Sequence, residues 1–490
     1  MKKGICLFLC LGLILSLFGC ARKAEAEIYD RNINEGVSAA PETGGGSRTL
    51  RVAAGIDYSL YSEIGLTSLA ERFQTLHPDV TVEIDAIPAQ EVKTADDLKA
   101  YRERILLGIA GGEGYDVLDW SILENYTKMA DNGTLLNLKP FMENDPEFLA
   151  EDYFENILYT YAYQDGLYAI PTGFFTTKVW LRTDILDEMG VDLTGKREIS
   201  VEELGKLYTE GVEKGLVEEN WLNFGWKGGV RSRLLTGFFS ACVDCGNHTS
   251  SFSAPENVEY LDWVLNTVPE SLPYGTAEAG IAAENVKKAF QQLYGARCFS
   301  SIWNGDFYTA PWANYKAENS TEPMNLTDRE GRVFYNLTDV VGIAGNTKEP
   351  NLAWEFVKFC IAEVENPSYK GLYSEGPNAV DICNGAYTVN RKNFEKYAPL
   401  YTRAIYGQAY YPKAWKERMS SEFFQTLYTD EINDRILYDI ESAGAYDTMI
   451  DNDLETLLYD ALLAYIESPV TTVEQFSAEL DRMVTDYYAE

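Results

Sequence analysis

Short apolar strands alternate with amphipathic helices between residues 49 and 133, and this order limits the possible folds more than any other feature of the chain. The apolar pattern predicts strands over residues 49–54, 80–86 and 115–120, and helices over residues 66–76 and 96–110. Strands that are connected by helices pair in parallel through right-handed crossovers. The sequence therefore predicts an open α/β domain with a parallel sheet.

Local signals predict where several of these elements begin and end. Gly55 is expected to end the first strand, and Ser121 is expected to cap a helix that runs to Gly133. Ser200 and Glu203 form a capping box at the start of another helix. The remaining predicted helices span residues 200–215, 255–268, 282–294, 351–362 and 472–489, and the remaining strands span residues 167–171, 177–181, 298–303 and 340–343.

The N-terminal residues have the features of an export signal. Lys2 and Lys3 precede an apolar run from residue 5 to residue 18, which is too short to cross a bilayer comfortably. The run is followed by a small residue and Cys20, an ending that resembles the bacterial lipobox, in which the cysteine is acylated and becomes the mature N-terminus. We expect a signal peptide over residues 1–19 and lipidation of Cys20. The alternative is an ordinary thiol beside a plain signal peptide.

The residues that follow the cysteine have the composition of a tether. Residues 20–48 are small and polar, and they contain too few apolar side chains to offset the entropy of ordering them. From residue 49 onward the chain is long enough for a large core and more than one lobe. No second apolar run in this sequence approaches the length of a membrane span.

The charge of the chain argues against two classes of partner. Its 76 acidic residues outnumber its 41 basic residues, for a net charge of −35. Nucleic acids and anionic lipid surfaces are bound by basic patches, so neither is an expected partner. The 33 tyrosines and nine tryptophans instead supply many flat faces on which a sugar or another ring can stack.

One cysteine pair has the spacing of redox and metal motifs. Cys242 and Cys245 form a CxxC, but no second CxxC and no spaced pair of histidines completes a zinc site, and His248 is the nearest histidine. We therefore expect no metal and no cofactor. The pair is predicted to be either a local disulfide or two buried thiols.

Five passages, which follow one another along the chain as they do in the family, resemble the extracellular solute-binding proteins of bacterial ABC importers, in the branch that includes the maltose-binding protein. The passage over residues 342–359, Gly-Ile-Ala-Gly-Asn followed by Ala-Trp-Glu-Phe-Val-Lys-Phe, is the most specific of them. The other four passages span residues 71–83, 114–138, 166–171 and 472–480.

The resemblance implies an α/β, two-lobed periplasmic-binding-protein-like fold with three interlobe crossovers and a ligand held in the cleft between the lobes. It implies a monomer without enzymatic activity that takes up a small molecule, a carbohydrate, and delivers it to ABC permease subunits. With the lipidated cysteine, the protein is expected at the extracytoplasmic face of the cell membrane. The expected lobes are residues 49–167 with 341–384, and residues 168–340 with 385–490.

The candidate binding residues follow the ends of the predicted strands, because ligands of open parallel sheets lie outside the carboxyl ends of the strands. An aromatic face beside a carboxylate or an amide suits a pyranose, whose C–H face stacks while its hydroxyls are hydrogen-bonded. Trp354, on the apolar face of a helix, is predicted to be core. The predicted ligand-binding residues are Asp57, Tyr58, Asp119, Trp120, Ser121, Phe174, Phe175, Trp226, Arg231, Trp303, Asn304, Asp306, Tyr387 and Arg391.

Several of these residues have a structural alternative. Trp226 lies among glycines that form either a close approach to a ligand or a turn, and Arg231 suits a solvated surface as well as a sugar. Tyr387 and Arg391 either close the cleft or pack.

Two other functions remain open at this point. A surface hydrolase that acts on glycans needs two carboxylates about 5–10 Å apart, which the acidic residues of this chain are numerous enough to supply. A sensing or adhesion lipoprotein can share the same fold. The sequence contains no G-x-S-x-G, no H-E-x-x-H and no P-loop motif, and only two histidines.

Overall fold

The computed structural model describes residues 48–57, 66–88, 91, 95–119, 121–216, 222–223, 230–268, 300–304, 321–362, 387–395, 430–446, 451–467 and 471–489. The chain divides into two compact units. Of the described residues, the first unit contains those up to Ala150 together with Tyr159–Ile170 and Val340–Ala362. The second unit contains the described residues of Glu151–Leu158 and Pro171–Asp339 and those that follow Ala362.

The chain passes between the units after Ile170, after Asp339 and after Ala362, and residues 151–158 add a short excursion into the second unit. The predicted lobes differ from these units in three places that the structure describes. Residues 151–158 were expected in the first lobe, and residues 168–170 and Val340 in the second.

The strands are β1 Arg48–Asp57, β2 Val80–Pro88, β3 Val117–Asp119, β4 Ala162–Tyr163, β5 Gly166–Leu167, β6 Ala169–Arg182, β7 Glu198–Ser200, β8 Leu222–Asn223, β9 Val243–Asp244, β10 Thr249–Ser250, β11 Ser300–Asn304, β12 Thr321–Thr327, β13 Val333–Ile343, β14 Tyr387–Thr388 and β15 Ala443–Tyr446. The helices are α1 Leu66–Leu76, α2 Ala95–Ala110, α3 Tyr126–Asp131, α4 Lys139–Asn144, α5 Glu155–Leu158, α6 Thr183–Met189, α7 Val201–Glu213, α8 Val230–Cys242, α9 Pro255–Asn266, α10 Pro350–Ile361, α11 Asp430–Glu441, α12 Asn452–Glu467 and α13 Val473–Ala489. The predicted helix over residues 282–294 lies outside the described residues. No helix in the described ranges is long and apolar enough to cross a membrane.

The sheet of the first unit has the order β2-β1-β3-β13. β1 pairs in parallel with both β2 and β3, as the alternating sequence pattern predicts, and the end of β13 pairs antiparallel with β3. Leu50, Val52, Val117 and Leu118 are fully buried. Helices that cover a parallel sheet bury its strands, which is why these strands are short continuous apolar runs.

The predicted end of β1 at Gly55 is wrong. The strand continues to Asp57, and Ile56 and Asp57 pair with β2 again after a register shift between Ala53 and Ile56. A glycine inside a strand often marks such an irregularity, because it tolerates backbone geometry that other residues avoid.

The predicted N-cap at Ser121 is also wrong. The helix begins at Tyr126, and its N-cap, Asn125, makes no side-chain capping bond. Ser121 instead donates its hydroxyl and its backbone N–H to Asp119. Short polar side chains offer the backbone such local alternatives to a helix start.

Two glycines allow the passages over residues 114–138 and 342–359 to contact each other in the first unit. The N–H of Gly345 donates to the carbonyl of Thr134 at 2.7 Å. A Cβ on Gly345 would lie 1.8 Å from the carbonyl oxygen of Gly133, which itself has a φ of +71°. Side chains at these positions would push the two backbones apart.

Asp116 joins three segments of the first unit at the start of β3. Its buried carboxylate accepts the N–H of Arg51 at 2.8 Å and the hydroxyl of Thr347 at 2.5 Å. Burial raises the pKa of Asp116, although both bonds favour its ionised form. The aspartate of this passage therefore has a structural role.

Trp354 is core, as the sequence predicts, with 5% of its surface exposed. Its ring lies 5.5 Å from that of Phe148, and its indole N–H donates to Asp145 at 2.9 Å. Lys358, one turn later on the same helix, donates to the same carboxylate at 2.8 Å. These contacts fix α10 to the segment that follows α4.

The second unit is built around β6. The two predicted strands over residues 167–171 and 177–181 largely form this one continuous strand. β6 pairs antiparallel with β11 on one side and β12 on the other, while β7 pairs with β12 and β8 with β11. The capping box is confirmed, because the N–H of Glu203 donates to the Ser200 hydroxyl at 3.1 Å.

Cys242 and Cys245 are both free thiols. Cys242 ends α8, and Cys245 lies in the β9–β10 hairpin. Burial raises the pKa of both, that of Cys245 to about 11. The two predicted alternatives were a local disulfide and two thiols, and the structure has the two thiols.

Candidate functional site

The carboxyl ends of three parallel strands form one edge of the first unit, where the sequence predicts binding residues. Asp57 ends β1 and is paired with Pro88 at the end of β2. Asp119 ends β3, one residue beyond Leu118, which is paired with Ala53 of β1. The structure thus brings the backbones of two predicted residues, Asp57 and Asp119, to the same edge.

The side chain of Asp119 is directed onto its own turn. Its Oδ1 atom accepts the N–H of Ser121 at 2.9 Å and also the Ser121 hydroxyl, and its carbonyl accepts the N–H of Ile122 at 3.0 Å. Asp119 is 7% exposed, and Ser121 and Ile122 are fully buried. The buried carboxylate is therefore balanced by hydrogen bonds, as buried charges must be.

Gly55 was not predicted as a site residue, yet it makes this turn possible. A Cβ on Gly55 would lie 2.0 Å from the Oγ atom and 2.5 Å from the Cβ atom of Ser121. The available sequence signal was a glycine interrupting an apolar strand, which often marks a close approach of another segment.

Helix α2 places an aromatic and a charged pair beside this edge. The Tyr101 hydroxyl donates to the Asp85 carbonyl at 2.5 Å. Burial raises the pKa of Tyr101, and the negative charges of Asp85 and Asp119 raise it further. Arg102 forms an ion pair with Glu124, which follows the Asp119 turn. The edge is consequently tied to α2 by polar contacts as well as by apolar packing.

Two predicted residues of the second unit, Phe174 and Tyr387, are brought together in an aromatic cluster with Phe154 and Phe394. Tyr387 of β14 pairs with Phe174 of β6, and their ring centroids are 5.8 Å apart. Phe174 is fully buried and Tyr387 is 4% exposed. This packing indicates that Tyr387 packs within the unit rather than closing a cleft, and that Phe174 is likewise a packing residue. Phe175, the next residue, is half-buried.

Arg391 borders the same cluster. Its guanidinium carbon lies 4.6 Å from the centre of the Phe154 ring, and its Nη1 atom lies 3.1 Å from Oε1 of Glu441. A cation over an aromatic face with a carboxylate partner is a stable packing arrangement. Arg391 therefore ties residues 151–158 to the end of α11.

The structure describes only the backbone of three further predicted residues. Trp303 and Asn304 of β11 are paired with Lys178 and Thr177 of β6, and Arg231 lies in the first turn of α8. Tyr58, Trp120, Trp226 and Asp306 lie outside the described residues, as does Cys20. Of the predicted residues that are described, Asp57, Asp119 and Ser121 belong to the first unit and the others to the second.

The described residues offer hydrogen-bonding groups and aromatic rings. Across the ranges that the structure covers, no group of three or more His, Cys, Asp or Glu side chains is arranged to hold a metal ion.

Comparisons with solved structures establish the fold. The sugar-binding protein MalE from Xanthomonas citri is 12% identical to this chain, with a TM-score of 0.55 over 90% of this chain and 98% of that one. A putative oligosaccharide periplasmic-binding protein from Synechococcus sp. MITs9220 is 14% identical, with a TM-score of 0.53 over 90% and 99%. An ABC substrate-binding protein from Listeria monocytogenes, in complex with cycloalternan, is 12% identical, with a TM-score of 0.51 over 90% and 99%. The fold is thus the two-lobed α/β fold of periplasmic binding proteins.

No curated protein matches this chain in sequence. The family model of the bacterial extracellular solute-binding proteins matches residues 62–366, which is more than half of the chain. The matched region includes the predicted residues of both units from Asp119 to Asp306. The chain therefore belongs to the family of bacterial extracellular solute-binding proteins.

Proposed function

We propose that this protein is the lipid-anchored substrate-binding component of an ABC importer and that its ligand is a sugar or an oligosaccharide. The observation that carries the proposal is the family match over residues 62–366, because this family consists of solute-binding proteins. The sugar class is supported by structural relatives whose names specify a sugar, an oligosaccharide or cycloalternan.

The ligand is proposed to bind between the two lobes and to favour their closure. Only a ligand that contacts both lobes has a higher affinity for the closed state, and this difference is what drives closure. Asp57 and Trp120 are the proposed contacts from the first lobe, and Trp303 and Asn304 those from the second. An aromatic face beside a carboxylate or amide on each side would stack on the sugar ring and bond its hydroxyls.

The proposed location is the extracytoplasmic face of the cell membrane. Acyl chains on Cys20 would anchor the protein, since each buried methylene contributes about 0.8 kcal/mol and two or three chains give stable attachment. The polar tether over residues 20–48 would leave the folded part free to meet permease subunits.

Calorimetry of the purified protein with maltose, maltotriose, cycloalternan and D-tagatose tests this proposal. We expect at least one of these sugars to bind with a Kd of about 1 µM, or roughly −8 kcal/mol. The same sugar at a hundredfold excess over Kd should add about 2.7 kcal/mol of stability.

Chromatography of the incubated sugar distinguishes binding from catalysis. The family consists of binding proteins, so we propose that the sugar is recovered unchanged. Cleaved product that forms in proportion to the protein would support the surface hydrolase instead. Sugar binding together with failure to restore uptake in a strain that lacks the protein would favour the sensing or adhesion lipoprotein.

A further inference from the structure

The turn after β3 is held by three hydrogen bonds to a single residue. The backbone N–H and the hydroxyl of Ser121 both donate to Oδ1 of Asp119, and the N–H of Ile122 donates to the Asp119 carbonyl at 3.0 Å. Ser121, Ile122 and Leu123 are at most 1% exposed. Residues 121–123 are therefore anchored in the core of the first unit.

The same turn is packed against the end of β1. Gly55 leaves no room for a side chain, because a Cβ there would lie 2.0 Å from the Ser121 hydroxyl oxygen. Ser121 cannot move aside easily, since it is fully buried and its donors are bonded to Asp119. The Gly55–Ser121 contact thus sets the spacing between the carboxyl ends of β1 and β3.

At the proposed binding edge, this geometry suits Asp119 and Ser121 to holding the backbone in place rather than to contacting the ligand. Asp119 is only 7% exposed, and its carboxylate already accepts two bonds on Oδ1, so it is poorly placed to receive a sugar hydroxyl. A fully buried hydroxyl such as that of Ser121 is likewise withdrawn from a ligand.

We propose that Gly55, Asp119 and Ser121 are positioning residues of the sugar site rather than ligand contacts. Together they hold the ends of β1 and β3 at a fixed separation, so that the edge that receives the sugar is formed before the sugar binds. A preformed edge spares the ligand the cost of ordering it, which raises affinity. The inference rests on the proposed function for the identity of the ligand and for its binding at this edge.

The test combines calorimetry with maltotriose and hydrogen–deuterium exchange at the Ser121 and Ile122 amides in the full-length protein. Gly55→Ala should weaken maltotriose binding by about tenfold or more and increase exchange at both amides, because overpacking shifts the turn. Combining Gly55→Ala with Ser121→Gly removes the clashing side chain, while the backbone N–H at that position can still donate to Asp119 and hold the turn. The double variant should therefore restore protection and most of the affinity.

Variants of Asp119 test whether its carboxylate serves as an acceptor within the turn or contacts the ligand. Asp119→Asn keeps an oxygen acceptor for Ser121, so binding should stay within about threefold of wild type. Asp119→Leu removes that acceptor and should reduce both affinity and protection. Equal losses of affinity in Asp119→Asn and Asp119→Leu, with the amides protected in Asp119→Asn, would show that the carboxylate contacts the sugar and would overturn the proposal.

Two glycine variants serve as controls. Gly114→Ala meets no atom within 4 Å and should resemble wild type in every measurement. Gly205→Ala meets Leu234 and Trp263 at 3.0 Å in the second unit, so it should lower stability while maltotriose affinity and the two amides stay unchanged. A Gly55→Ala variant that loses stability but keeps wild-type affinity, as expected of Gly205→Ala, would overturn the proposal.

Failure of the proposed function gives a different result. If the wild-type protein binds neither maltotriose nor another sugar of the panel, the sugar assignment fails. The hydrogen–deuterium exchange data then test the remaining claim, which is that Gly55, Asp119 and Ser121 hold the turn in position. Unchanged protection in Gly55→Ala would refute the positioning of the turn, whereas lost protection that returns with Ser121→Gly would uphold it.

Discussion

Lys178 and Asp439 form an ion pair inside the second unit, with 2.5 Å between Nζ and Oδ2 and 1% of each side chain exposed. Asn325 completes the group, because its amide oxygen accepts from Lys178 at 2.6 Å and its amide nitrogen donates to the other oxygen of Asp439 at 2.6 Å. The contact joins β6 to β12 and α11. Charges are buried in this way only when their remaining donors and acceptors are satisfied.

Breaking this pair from one side should destabilise the protein strongly. Lys178→Met leaves the Asp439 carboxylate buried without its cation, and we expect a loss of about 3–5 kcal/mol in the free energy of unfolding. Urea unfolding measures the loss. The double variant Lys178→Met/Asp439→Leu should lose less than the sum of the two single variants. Lys206→Met, which breaks an ion pair in which Lys206 is 62% exposed, is the control and should cost at most about 1 kcal/mol. Equal losses for Lys178→Met and Lys206→Met would contradict this account.

Acid should weaken both units through carboxylates with lowered pKa values. Burial opposes the shift at Asp145, but hydrogen bonds from Lys358 and Trp354 lower its pKa. Burial also opposes the shift at Asp481, whose pKa is lowered by Ser250, Ser253 and backbone N–H groups. Such a carboxylate contributes stability above its unfolded pKa of about 4, and this contribution is lost as the pH falls through the lower folded value.

Urea midpoints measured between about pH 2 and pH 6 test this pH dependence. Asp481→Asn should lower stability at pH 6 and flatten the fall below about pH 4. An unchanged slope in Asp481→Asn would show that the acid sensitivity originates elsewhere.

The CxxC thiols should react slowly in the folded protein. The thiolate is the reactive form, and burial raises the pKa of Cys245 to about 11 and raises that of Cys242 as well. Iodoacetamide at neutral pH should therefore label both residues much more slowly in buffer than in urea, as measured by peptide mass spectrometry. Half-buried Cys360 is the internal comparison. Rapid labelling of Cys242 in buffer would contradict its burial.

The proposed aromatic contacts should affect ligand affinity rather than folding. Trp120→Ala and Trp303→Ala should each cost about 1–3 kcal/mol of sugar affinity if each ring stacks on the ligand. Scattering should show the wild type contracting with ligand and each variant needing more ligand to do so. Trp354→Phe, which loses the bond to Asp145, should lower stability by about 1–2 kcal/mol and leave affinity unchanged. Unchanged affinity in both alanine variants would make the two rings structural.

The anchor can be tested independently of the ligand. Cys20→Ser should leave the precursor unprocessed or release the protein into the medium, because no acyl chain can be attached. Partition into a detergent phase measures the change. If Cys20→Ser partitions as the wild type does, the lipoprotein assignment fails.

Features set by neighbouring residues could be predicted from the sequence. The capping box of Ser200 and Glu203 and the helix around Trp354 depend on contacts within one or two turns, and both are present. The prediction that Ser121 caps a helix was wrong because two signals compete over a few residues. Serine is a good N-cap, but Asp119, two residues earlier, accepts both of its donors.

The sequence alone determined the parallel α/β order of the first unit, the core position of Trp354 and the resemblance that the family match over residues 62–366 bears out. Each rests on apolar periodicity or on a motif, and both are local properties. Only the tertiary structure showed that Gly55 touches Ser121, that Phe174 is packed against Tyr387, and that Lys178 is paired with Asp439. These contacts join residues far apart in the chain, and no local pattern encodes them, because they form only when the strands take their register in the sheet.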